Sequence, residues 1–133
     1  MKINQITLGG YKSVHPDGQK IPFGDITVFI GANGMGKSNL ISFFTMLNYM
    51  TTDGLQRYVA EQGYATTLLY HGPKQTPALN AEIVLSDDCA EDIYKFVLTH
   101  ASGDLLIFTD EAISWKYIGR EQSQNINLGV GHR

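Results

Sequence analysis

Eight consecutive residues, Gly31-Ala32-Asn33-Gly34-Met35-Gly36-Lys37-Ser38, match G-x-x-x-x-G-K-[ST] at every fixed position. These residue types suit one task, the binding of a phosphate anion. Glycines let the backbone take positive φ and turn successive N–H groups toward one point. A helix starting at Lys37 adds the partial positive charge of its N-terminus there. In this arrangement Lys37 reaches the β- and γ-phosphates of a nucleotide. The Ser38 hydroxyl ligates the Mg²⁺ that bridges them. Lys37 is therefore the candidate catalytic residue and Ser38 the candidate metal ligand.

Such a loop needs a buried strand before it and a helix after it. Ile26-Thr27-Val28-Phe29-Ile30 is a continuous apolar, β-branched run, as in a strand buried on both faces of a parallel or mixed sheet. After the loop, Leu40, Phe43, Phe44, Leu47 and Met50 recur at helical spacing, which predicts a helix over 37–50. The structural context of the loop is thus complete.

The flanking segments are read in the same way. Ile3, Ile6 and Leu8 alternate with polar residues and predict a first strand over 2–8. Pro16-Asp17-Gly18 is a turn signal, so residues 11–14 and 19–23 are expected to form a hairpin. Asp53-Gly54-Leu55-Gln56 has capping-box spacing, with Leu55, Tyr58 and Val59 on one side of a short helix that Gly63 ends. From residue 78 the period becomes two. Leu79 to Leu85, Ile93 to Thr99, Leu105 to Phe108 and Ile113 to Ile118 read as an antiparallel meander, with a hairpin loop at Ala101-Ser102-Gly103-Asp104. The polar stretch Glu121 to Arg133 closes no domain, so the sequence is expected to continue beyond it.

With the neighbouring Asn39, the loop resembles the G-x-N-G-x-G-K-S-N form of ABC-type ATPases in the SMC/RecF branch, Asn33 and Asn39 being the branch-specific matches. The opening Ile3-x-x-Ile6-x-Leu8-x-x-Tyr11-Lys12-Ser13 is similar to the first strand and turn of that branch. Leu68-Leu69-Tyr70-His71-Gly72-Pro73-Lys74 resembles bacterial members described as predicted AAA-type ATPases of the RecF-like group. The resemblance is strong over 1–50 and looser over 64–133. It implies an α/β P-loop NTPase fold, the N-terminal half of an ABC-type head, with a mixed sheet and an antiparallel β-meander. One partial ATP-binding head would occupy 1–133: a strand, P-loop and helix core over 1–50, a helix and loop over 51–80, and a β-subdomain over 81–128. It further implies ATP and Mg²⁺ as ligands, with Lys12, Ser13, Asn33, Gly34, Met35, Gly36, Lys37, Ser38 and Asn39 around the nucleotide. It also implies a homodimer of heads in the full-length protein.

Hydrolysis in that family also needs an L-S-G-G-Q signature, a Walker B strand ending Asp-Glu and a switch histidine, and the sequence carries no such signature. Leu105-Leu106-Ile107-Phe108-Thr109-Asp110-Glu111 has the Walker B composition, and two readings stand. Asp110 and Glu111 would hold Mg²⁺ and polarise water in a small complete phosphotransferase. Alternatively, the Gly103-Asp104 turn before it makes it the second arm of a hairpin, at an exposed edge of the meander. A third reading is a non-enzymatic interaction fragment. Tyr11 is a candidate for stacking on adenine or for packing in the turn. Phe43, Phe44, Tyr49, Trp115 and Tyr117 read as packing residues.

Composition narrows the classes. The chain has 133 residues, the size of one domain, and 43% hydrophobic residues, enough for a packed core. Ten basic against 13 acidic side chains leave −3, with no basic stripe, so direct nucleic-acid binding by this chain is not supported. No apolar run reaches the roughly 18 residues of a membrane span. The four histidines are scattered and Cys89 is the only cysteine, so a metal site and an internal disulfide are not expected, and a cytoplasmic setting is. An unpaired neighbour beside 26–30 would favour self-association.

Overall fold

The computed structural model describes residues 2–24, 37–120 and 123–128. The run 26–30 and the loop residues Gly31 to Gly36 lie outside them. Six strands are described: β1 (Lys2–Gly9), β2 (Gln19–Pro22), β3 (Ala78–Ser86), β4 (Ala90–Ala101), β5 (Leu105–Tyr117) and β6 (Ser123–Asn127). They form one sheet in the order β2-β1-β3-β4-β5-β6, and every described pairing is antiparallel. Helices α1 (Lys37–Met50), α2 (Leu55–Glu61) and α3 (Ala65–Leu68) fall between β2 and β3.

The register explains the single core. Ile21, Ile6, Ile83, Tyr94, Ile113 and Ile126 are successive partners across all six strands, a row on one face. Leu8, Ala81, Phe96 and Glu111 form the next row. The opposite face carries Lys20, Thr7, Glu82, Lys95, Ala112 and Asn127, with Lys95 Nζ 3.5 Å from Glu82 Oε2. Period-two alternation thus sorts apolar from polar, and the apolar face must be covered.

Helix α1 covers it. Leu40, Phe43, Met46 and Met50 are buried, and Phe43 stacks on Phe96 with centroids 6.4 Å apart. Phe96 in turn meets Phe108 edge-on at 5.9 Å. The buried stripe follows the 3.6-residue period, so the 37–50 reading holds at both ends. The antiparallel meander over β3 to β5 is also observed.

Four expectations change. Residues 19–22 pair with β1, not with 11–14, because Ile21 beside Ile6 extends the apolar row whereas the 11–14 segment is itself a turn. The cap of α2 is Gly54, without a side-chain hydrogen bond; Asp53 is in the left-handed region at φ 56, so its side chain does not make the capping box. Leu105–Tyr117 is one strand rather than two, since Asp110 merely occupies the polar face. Within it, 105–110 is an edge of the described sheet as expected, since β6 pairs only with 112–116, but Glu111 is buried, 1% exposed. The polar stretch after residue 120 adds β6 to the sheet, with Ile126 opposite Ile113.

Phe96 joins helix and sheet, so Phe96→Ala is expected to lower the unfolding free energy by about 3–5 kcal/mol. Lys95→Ala, its neighbour on the polar face, is expected to stay within about 0.5 kcal/mol. Urea denaturation of the two variants measures both.

Candidate functional site

The site is assembled where β1 ends. Gly10 turns the chain at φ 76, and a Cβ there would lie 2.7 Å from the Ala78 carbonyl oxygen, so only glycine fits. The turn closes with the Gly10 N–H donating to the Val14 carbonyl at 3.1 Å and the Val14 N–H to the Tyr11 carbonyl at 2.9 Å. Lys12 follows in the left-handed region at φ 50. The turn is bound to the end of α3 from both sides. The Lys12 N–H donates to Leu68 at 2.8 Å, and the Tyr70 N–H donates to Gly10 at 2.9 Å.

This anchoring brings the turn against the first turn of α1. The Asn39 side-chain amide donates to the Ser13 hydroxyl. Lys12 and Ser38 line one cleft together with Ser42, Thr45, Tyr58 and Gln62. Lys12 and Ser13 also line a second, larger cleft of about 640 Å³, whose far wall is Thr66, Thr67, Tyr70 and His71. Lys12 therefore stands between two clefts. Its Nζ lies 5.8 Å from the Tyr11 ring centroid, and no carboxylate pairs with it among the described residues. The first turn of α1 carries no acidic residue, so no side-chain charge in that turn offsets its positive end.

Of the predicted residues, Lys12, Ser13, Ser38 and Asn39 are brought together. Asn33, Gly34, Met35 and Gly36 lie outside the described residues. For Lys37 the backbone position at the start of α1 is described. Tyr11 is fully buried, its hydroxyl 2.6 Å from that of Ser42 and 2.9 Å from that of Tyr58, so it packs rather than offering a free ring face. Burial pushes its phenol well above the ordinary tyrosine range.

Asp110 and Glu111 are not brought together. Glu111 is buried on the helix-covered face, where its carboxylate accepts from the Tyr94 hydroxyl, while Asp110 points to the exposed face. Two carboxylates on opposite faces of an antiparallel strand do not converge on one Mg²⁺. No cluster of three or more His, Cys, Asp or Glu suited to a metal occurs among the described residues, and none of their helices is long and apolar enough to cross a membrane.

The sequence reading missed Thr66 and its support. Asp104, on the β4–β5 hairpin, accepts from the Thr66 hydroxyl at 2.7 Å and through its carbonyl from the Ala65 N–H at 2.9 Å. His100 Nε2 is 3.0 Å from its other oxygen. The meander thereby holds the far wall of the larger cleft. A local signal was absent, because donor and acceptor are 38 residues apart.

A solved chain from a study of ATP-driven dimerization and DNA-stimulated activation of SMC ATPases has a similar fold, with a TM-score of 0.53. The two are 22% identical, over 90% of this chain and 71% of that one. At this identity the likeness is one of fold alone: the sheet and its helices are arranged as in that chain. No protein-family model matches the sequence, and no curated protein does.

The Asp104 contacts have a pH signature. The Thr66 hydroxyl first, then its N–H and His100, hold the carboxyl below the ordinary aspartate value of 3.8. The folded chain thus binds this proton less tightly than the unfolded one. The stabilisation is complete above 3.8 and is lost as pH falls below it. Asp104→Asn keeps a residue tolerant of the left-handed turn and removes the charge. Its stability deficit, measured by chemical denaturation, is expected to be present at pH 7 and to shrink toward about pH 2. An equal deficit at both would show that no proton is linked to this contact.

Proposed function

We propose that this chain is the ATP-binding part of an SMC/RecF-type ATPase head. The contact between Asn39 and Ser13 is the observation that carries the reading. It joins two motifs that resemble the same family and lie 26 residues apart in sequence. In this reading the N–H groups of Gly34, Met35 and Gly36 surround the phosphates, with Asn33 beside them. Lys37 neutralises the β- and γ-phosphates, and Lys12, Ser13 and Asn39 form the rim.

The donor set fits a magnesium nucleotide: an exposed Ser38 hydroxyl in the first helical turn, and Lys12 with no carboxylate partner among the described residues. Ser38 would hold Mg²⁺, which supplies charge neutralisation between the two terminal phosphates. The larger cleft beside Lys12, walled by Tyr70 and His71, has room for the rest of the nucleotide. Turnover in this reading calls on a signature and catalytic carboxylates that the sequence does not carry. It therefore requires further elements and a second head, in a homodimer built around bound nucleotide. The SMC ATPase of similar fold is described as dimerising with ATP and as activated by DNA. For this chain the net charge of −3 offers no basic surface of its own, so a nucleic acid would act on the assembled protein. A reducing, cytoplasmic setting suits the single exposed Cys89.

The phosphotransferase alternative needs Asp110 and Glu111 on one ion, and their opposite faces disfavour it. An interaction fragment with a vestigial site would leave the Lys37-Ser38 pair without a task.

Lys37→Ala is expected to weaken Mg-ATP binding at least a hundredfold, since a charge-assisted phosphate contact is lost from a convergent site. Asp110→Asn is expected to leave it unchanged. Titration calorimetry reads both. Equal binding by the Lys37→Ala protein would sink the reading. Steady multiple turnover by the 133-residue chain, lost in that variant, would show that the carboxylates are already present.

A further inference from the structure

Three hydroxyls from three elements meet beside the proposed nucleotide site. Tyr11 comes from the turn after β1, Ser42 from α1 and Tyr58 from α2. Their oxygens form a closed triangle with sides of 2.6, 2.9 and 2.8 Å. The Tyr58 hydroxyl also reaches the Ser42 carbonyl at 3.1 Å. Four contacts share three hydroxyl protons, so only three can be made at once. The triangle is complete when Tyr58 donates within it, and one side is lost when Tyr58 donates to the carbonyl.

The location of the cluster gives it a consequence. Tyr11 directly precedes Lys12 and Ser13. Ser42 lies one helical turn beyond Ser38 on the same side of α1, and both line the cleft that Lys12 enters. Tyr11 and Tyr58 are buried, so a hydroxyl that loses its partner here carries a desolvation cost. The triangle therefore sets the separation between the turn that carries Lys12 and the helical turn that carries Ser38.

We propose that Ser42 and Tyr58 are positioning residues for the nucleotide: through Tyr11 they hold Lys12 and Ser13 at the distance from Ser38 and Asn39 that a bound magnesium nucleotide requires. This rests on the ATP-binding reading above. It adds two residues outside the phosphate-loop motif, whose hydroxyls act through the turn. Removing either hydroxyl leaves the rings and the helix in place and frees the turn to move relative to α1.

The test uses four variants of the 133-residue chain, titrated with a fluorescent ATP analogue and Mg²⁺ at a temperature where circular dichroism shows each to be folded. Tyr58→Phe and Ser42→Ala are each expected to weaken binding about fivefold, the equivalent of one buried hydrogen bond. Val59→Ala removes buried apolar volume from the same side of α2 but no hydroxyl. It is expected to lose more stability and to bind within about twofold of the unaltered chain. Lys37→Ala reports on the site itself. If Tyr58→Phe and Ser42→Ala bind as the unaltered chain does while Lys37→Ala does not, the positioning role is overturned and the ATP reading stands. If Val59→Ala weakens binding as much as Tyr58→Phe, affinity follows global stability and the positioning role is again overturned. If Lys37→Ala binds normally, the ATP reading fails and this proposal with it.

Discussion

An antiparallel sheet with one apolar face cannot remain in water with that face open. The packing of Phe43 on Phe96 is where this requirement is met. It sets α1 against the sheet, and Ser38, Asn39 and Ser42 take their positions from α1. Tyr11 reaches the same ring from the other side, edge-on to Phe43 at 5.9 Å. One aromatic column thus passes from the turn, through the helix, into the sheet. Its apolar body holds the layers together, while the hydroxyl at its tip must find partners in a dry place. Core and site are consequently not separate regions: the residue before Lys12 belongs to both.

A division of labour follows between the two faces and the two ends of the sheet. The polar face balances its charges locally, as with Glu82 and Lys95, and at exposed sites such pairs contribute little. The helix-covered face supplies the burial. The hairpin end of β4 and β5 contributes differently, since Asp104 grips α3 and α3 forms the wall opposite Lys12. The cleft is therefore built from parts of the chain that have no local reason to associate. Tertiary contacts hold each of them.

Much of this was legible in the residues themselves. The bounds of α1 followed from one apolar stripe with a glycine loop before it, and β3 from clean alternation. The hairpin at 102–104 followed from Gly103-Asp104, both of which take positive φ. What stayed hidden was set at a distance. The partner of Gln19–Pro22 was decided by Ile21 against Ile6, a long-range apolar match, rather than by the nearer turn. Asp53 has the right type for a cap but the wrong backbone angle, which spacing does not reveal. Glu111 reads as an exposed acid until the register places it beside Phe96, in the covered face. At the site, proximity of Lys12 and Ser13 to the helix was accessible through the family resemblance alone. The roles of Ser42, Tyr58 and Thr66 carry no motif at all.

The pairing of β1 with β3 has a consequence for the order of events in folding. Gly9 and Asn80 are partners, so this pairing closes a loop of roughly 70 residues, whereas the β4–β5 hairpin closes over three. Chain entropy alone makes the longer closure more costly by about 3 kcal/mol. That long loop contains all three described helices, and its two ends carry Tyr11 and the strand against which Gly10 packs. The meander can organise from local contacts, but the cleft beside Lys12 exists only after the longer and more entropic closure is made. Its assembly is thereby tied to completion of the sheet, and a chain with a partly formed fold has no half-built site to offer a ligand.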